Sequence, residues 1–155
     1  MLYSVSMVRR IGVFALLVFF VFSASPQEDG DSIFPPHAIL NASFFGDEAM
    51  VVQILEAGAD RDVKTSLGDT ALHLAVYQNN PNVVRILLEY GFDPDARNNF
   101  GDTPLHNAVT ANNENAVRLL LHYRANRDIR NLEGISPLEM ARIEGKTQIV
   151  RLFFR

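Results

Sequence analysis

Apolar residues recur along the chain in short bursts at helical spacing, and the bursts themselves recur. Val83, Val84, Leu87 and Leu88 form one stripe three and four residues apart, the pattern of a helix with a single buried face. Laying Ser66–Asn98 over Asn99–Asn131 without a gap gives identity at 18 of 33 positions, where chance pairing of common residues gives about two. The polar punctuation repeats with the apolar stripe: Gly68-Asp69-Thr70 with Gly101-Asp102-Thr103, Leu72-His73 with Leu105-His106, Arg97-Asn98 with Arg130-Asn131. A further step of the same period brings Gly134, Ser136-Pro137-Leu138 and Met140-Ala141 into register, with Leu152-Phe153-Phe154 in the slots of Leu119-Leu120-Leu121. A backward step aligns Ala42, Gly46-Asp47, Ile54-Leu55 and Gly58-Ala59-Asp60. The chain therefore divides into four units, roughly 33–65, 66–98, 99–131 and 132–155, the outer two diverged as the ends of a stacked array must be, because each faces water on one side.

Each unit reads as a pair of helices. Thr70 and Thr103 stand where a hydroxyl can satisfy orphan N–H groups at a helix start, and Pro104 and Pro137 fall in the first turn, where a missing N–H costs nothing. Asn79-Asn80-Pro81 breaks the chain and restarts it, with Asn80 predicted as the cap of the second helix and Gly91 as its end. Neither helix can bury its apolar face alone, so the units must stack.

Gly68-Asp69-Thr70-Ala71-Leu72-His73 and Gly101-Asp102-Thr103-Pro104-Leu105-His106, recurring at this period with the Val-Val-x-x-Leu-Leu that follows, resemble the signature of the ankyrin repeat. The resemblance covers about 120 residues. It departs at Arg124, where the family usually has Gly, at Glu139, where it has His, and at Ala71, where it has Pro. It implies an all-α ankyrin repeat solenoid of about four stacked helix-turn-helix units with projecting turn fingers. It also implies a protein that acts through contacts with other proteins, and it assigns Thr70, His73, Thr103 and His106 to the structural motif, each His bonding across the turn that begins its helix.

The first 25 residues are unlike the rest. Arg9 and Arg10 lead into an apolar run from Ile11 to Phe22, followed by Ser23, Ala24 and Ser25. This is the pattern of a secretory signal, with cleavage expected after Ser23 and Met7 as a second possible start. The run is shorter than the roughly 20 apolar residues that cross a bilayer. The expected organisation is a signal peptide at 1–23, a short polar linker at 24–32 and the repeat domain at 33–155, in a protein that is periplasmic or secreted.

Composition narrows the function. Apolar residues make up 48 % and charged residues 21 % of the 155 positions, as in an ordinary folded domain. Fourteen Lys and Arg against 18 Asp and Glu give a net charge of −4, and loss of residues 1–23 takes it to −6. Nucleic acid is therefore not an expected partner, nor is a membrane once the signal is removed. The absence of Cys excludes disulfides, thiolate zinc sites and cysteine nucleophiles. No Gly-x-Ser-x-Gly, Ser-x-x-Lys, His-Glu-x-x-His or glycine-rich phosphate loop is present. His73 and His106 recur at equivalent positions without a third ligand, so no metal site or cofactor is expected. Asp62, Asp95 and Asp128 fall at turns, where carboxylates bond neighbouring N–H groups. Asn41-Ala42-Ser43 has the form of a glycosylation acceptor, but its register sets it in a packed helix.

What the fold leaves free is a set of columns. One, at the base of the fingers, reads Lys64, Arg97, Arg130; the finger-tip column reads Leu67, Phe100, Glu133; the column on the first helices reads Phe44, Tyr77, Thr110, Ile143. Lys64, Leu67, Arg97, Phe100, Arg130, Phe44 and Tyr77 are the candidate partner-binding residues, since Arg and aromatic side chains dominate binding energy at protein interfaces. The reading is a non-enzymatic binding module, expected to be monomeric, that grips an exported protein through a concave surface, as inhibitor of or protection against a peptidoglycan-modifying enzyme of the envelope. The alternative is a membrane-tethered scaffold with the Ile11–Phe22 helix uncleaved. Exposed phenylalanines at the C-terminal end could pair two molecules, against the expectation that they pack inward.

Overall fold

A computed structural model describes residues 34–154, so the signal segment at 1–23 and the linker at 24–32 lie outside the described residues. Eight short helices follow in pairs: α1 Ala38–Phe45 and α2 Glu48–Glu56, α3 Ala71–Tyr77 and α4 Pro81–Glu89, α5 Pro104–Thr110 and α6 Glu114–His122, α7 Pro137–Ile143 and α8 Thr147–Leu152. Each first helix packs on its own second helix, while α1, α3, α5 and α7 pack side by side in one row and α2, α4, α6 and α8 in another. The result is a two-layered, all-helical stack of four units, and no strand is formed among the described residues.

The local chemistry follows the spacing. Thr70 accepts from the His73 N–H, Ser136 from the Glu139 N–H, and Pro81, Pro104 and Pro137 each occupy a first turn. The position of Ala42 recurs as Ala75, Ala108 and Ala141, all buried, and so small a side chain lets neighbouring first helices approach closely. One layer deeper, Ile54, Leu87, Leu120 and Phe153 repeat at the same interval, each at most 1 % exposed. Such a residue is worth about 1.5–3 kcal/mol when fully buried. Phe153 thus packs inward as expected, while Phe154 stays exposed, its ring 5.9 Å from the guanidinium carbon of Arg142.

Two expectations change in detail. Asn80 precedes α4, but its side chain does not cap that helix. Its amide instead donates back to the carbonyls of Ser43 and Phe44 at the end of α1, 3.2 and 3.3 Å away. Asn113 does both tasks, accepting from the Ala116 N–H and donating to the Val76 carbonyl. Lys146, in the same column, reaches back to the carbonyls of Val109 and Thr110. At the turns, the oxygens that accept from the backbone N–H groups of Asp62, Asp95 and Asp128 belong to Asp60, Asp93 and Asn126, while Asp95 accepts from the Asn126 N–H of the next unit.

Arg124 takes the corner that Gly58 and Gly91 occupy in earlier units, with φ +64°. A side chain in the left-handed region costs about 1–2 kcal/mol, and glycine is the usual residue at such a helix end. Arg124→Gly is therefore expected to stabilise the protein by about 1 kcal/mol in urea unfolding. In the first unit, Ser43 is fully buried and its hydroxyl has no hydrogen-bond partner, at the position held by Val76 and Val109. Ser43→Ala should raise the thermal midpoint, with a gain of about 1 kcal/mol from removing an unsatisfied buried hydroxyl. In the Asn41-Ala42-Ser43 triplet, which lies within α1, Ala42 and Ser43 are buried and only Asn41 is partly exposed.

Candidate functional site

Between the second helix of one unit and the first helix of the next, the chain projects as a tight finger. In the second finger the Asn98 N–H donates to the Asp102 carbonyl and the Gly101 N–H to the Asn98 carbonyl. The Asn98 side-chain oxygen accepts from Phe100 and Asp102, both at 3.0 Å, while its amide donates 2.8 Å across to the Asp69 carboxylate of the previous finger. Asn131 repeats this with Glu133, Ile135 and Asp102. Backbone bonds run from the Asn99 N–H to the Leu67 carbonyl and from the Leu132 N–H to the Phe100 carbonyl. The approach is so close that a Cβ at Gly101, where φ is +75°, would lie 2.9 Å from the Leu132 nitrogen. The fingers form one connected row.

His73 and His106 tie this row to the helices. His73 is fully buried; its Nδ1 lies 2.9 Å from the Thr70 hydroxyl and accepts from the Thr70 N–H, and its Nε2 is 3.1 Å from the Asp102 carbonyl of the next unit. A carbonyl only accepts, so Nε2 carries the proton. His106 does the same with Thr103 and the Ile135 carbonyl at 3.0 Å. Burial pushes the pKa of both histidines down, against the raising effect of those carbonyl bonds. Both ring nitrogens are thus committed to structure. Among the described residues no group of three His, Cys, Asp or Glu comes together as a metal site, and no helix is long and apolar enough to cross a membrane.

Glu139 stands at the histidine position of the fourth unit. Its carboxylate accepts from the Ser136 N–H and hydroxyl and from Arg130 at 2.6 and 2.8 Å. The Arg130 bonds, followed by those from Ser136, hold its pKa at about 2.

The predicted binding residues fall on the fingers and first helices, with roles that the columns alone do not reveal. Lys64 Nζ donates to the Arg97 carbonyl at 3.2 Å, and Arg97 donates to the Arg130 carbonyl at 2.9 Å. Each cation thus lies across to the next finger, and Arg130 ends the series paired with Glu139. Leu67 is half-buried, and Phe100 is 56 % exposed. Phe44 is half-buried, edge-on to Phe45 with ring centroids 5.2 Å apart. Tyr77 is 43 % and Ile143 72 % exposed. Thr110 donates to the Met140 sulfur at 3.4 Å.

Two of the most exposed apolar side chains escaped the column reading: Phe45 and Leu132. Leu132 stands in the finger position of Ser66 and Asn99, and Phe45 in the helix position of Gln78 and Ala111. An apolar residue where the other units carry polar or small ones was the available signal. Five of the exposed large apolar groups therefore fall at finger and first-helix positions, where an ordinary solvated turn needs none, while Met50 and Phe154 lie on and after second helices.

No curated protein matches the sequence. Ankyrin repeats, in three copies, match residues 39–131, a span that takes in the two identical-register units, the first helix pair and the rows of contacts between them. Ankyrin repeats form a non-enzymatic protein-protein interaction scaffold, and the chain belongs to the ankyrin repeat family.

Proposed function

We propose that the protein works outside the cytoplasm, binding an exported partner on the face formed by the fingers and the first helices. The observation that carries the binding face is the set of exposed Phe45, Tyr77, Phe100, Leu132 and Ile143 on a frame whose buried groups are committed to holding the fingers in place. A preorganised surface loses little conformational entropy on binding. Export rests on Arg9-Arg10 and the Ile11–Phe22 run followed by small residues. An acidic exported protein with this face suits the role of inhibitor of, or shield against, a peptidoglycan-modifying enzyme, by analogy with other small exported binders.

A photo-crosslinking amino acid placed at Phe100 or Leu132 tests the face in the producing cell, with Asn82 and Arg85 on α4 as comparison positions. One discrete adduct from the finger positions and none from α4 is the expected result. Adducts from α4 alone would reject the surface. Mass measurement of the mature N-terminus tests export: a protein beginning at residue 24 supports it, and an intact Ile11–Phe22 segment in the membrane fraction favours the tethered scaffold.

A further inference from the structure

The finger row carries charge in a pattern that specifies more than an apolar partner. This inference rests on the finger face being the recognition surface and names the chemistry that the surface takes. We infer that the partner presents an extended segment in which carboxylates stand about three residues apart among aliphatic or aromatic side chains.

The cations are held, yet neither is in an ion pair. Lys64 and Arg97 each have a hydrogen bond to the next finger's carbonyl, but an ammonium has three donors and a guanidinium five. Among the described residues no carboxylate lies within ion-pair distance of either. Arg130, in the same column, is the contrast: Glu139 neutralises it. Asp69 and Asp102 are the acids of the same fingers. Their carboxylates accept from Asn98 and Asn131, and they are buried and half-buried while Lys64 and Arg97 are exposed. The exposed charged side chains of the first two fingers are therefore cations, on a protein of net charge −4. Asp62 and Asp95, two residues before each cation, reduce this charge without pairing with it, and acids beyond about 8–10 Å are screened at physiological salt.

Apolar groups alternate with these cations. A Cβ on Gly101 would lie 2.7 Å from the Arg97 guanidinium and 3.2 Å from Leu132 Cγ, so Arg97 and Leu132 flank the glycine that follows Phe100. Phe100 and Leu132 are 56 % and 74 % exposed. Packed helices stand about 8–10 Å apart, which sets the interval between fingers. An extended chain rising about 3.1 Å per residue covers that interval in three residues, and a polyproline-like chain returns to the same face every third residue. Carboxylates at i and i+3 then meet Lys64 and Arg97, while apolar side chains beside and beyond the second carboxylate cover Phe100 and Leu132. Exposed Glu133 at the third finger repels an acid placed further on.

Three short synthetic peptides with identical Leu and Phe content, carrying Asp, Ser or Lys at every third position, test this by amide chemical-shift mapping on the isotope-labelled protein. The Asp peptide is expected to bind at least about tenfold more tightly than the Lys peptide at low salt, shifting residues 97–102 and 132. Lys64→Gln with Arg97→Gln keeps a donor at each site and should remove that preference with the thermal midpoint unchanged. Tighter or equal binding of the Lys peptide at the same amides overturns the charge assignment and leaves the finger surface standing. Shifts centred on α4 and α6 overturn the surface itself. No binding of the Asp peptide, or oligouridylate shifting the same amides more strongly, overturns the inference.

Discussion

His106→Ala is expected to lower the stability by about 3 kcal/mol, read as a reduced urea midpoint at unchanged slope. The ring is fully buried and joins the Thr103 N–H and hydroxyl to the Ile135 carbonyl of the next unit. Its removal leaves buried donors and an acceptor unpaired, at about 1–3 kcal/mol each when no water replaces the partner, and opens a cavity between two units. Glu139→Ala, at the equivalent position of the last unit, should cost less, because water reaches the groups it leaves behind. A His106→Ala protein that unfolds at the wild-type midpoint would mean that the cross-unit bonds contribute nothing.

Acid should loosen the stack well before the carboxylates titrate. Both buried histidines have pKa values below 6.5 in the folded protein, so as pH falls through 6.5 the unfolded chain takes up protons first. Stability is thus flat above pH 7 and declines below 6.5, by about 1.4 kcal/mol per pH unit for each histidine until its folded pKa is reached. Glu139 acts in the same sense at lower pH: its pKa of about 2 lies below the ordinary 4.5, so its contribution is complete above 4.5 and fades toward 2. Urea midpoints from pH 8 to 5 should therefore fall steeply for wild type. They should fall less for His73→Gln with His106→Gln, in which neither side chain titrates. Parallel curves for the two proteins would contradict this.

The fold was legible because the chain states it twice in adjacent segments, Ser66–Asn98 and Asn99–Asn131, with Thr-x-Leu-His at each helix start. The diverged units were legible only in outline. Glu139 reads as a departure from the pattern, yet the structure shows it doing part of the histidine's work, accepting from the N–H and hydroxyl of the capping Ser136. The surface was legible by column and not by partner. Lys64, Arg97 and Arg130 share a register, but whether a long cationic side chain lies along the next finger or meets a glutamate depends on contacts 33 and 9 residues away. Asn80 looked like a helix cap because of the proline that follows it, and its amide turned instead to the preceding unit. For the cations and for Asn80 the deciding partner belongs to a neighbouring unit, which local spacing cannot express.

Hydrogen exchange of Leu105→Ala tests most directly whether neighbouring units hold one another up. Leu105 is fully buried on α5, in the middle of the stack, and its truncation should cost about 2–5 kcal/mol. Protection is expected to fall together in α3, α4, α7 and α8 and at the Asn99 and Leu132 amides that join the fingers. Loss of protection confined to residues 99–131, with both flanking units unchanged, would show that the units stand alone and would contradict the account.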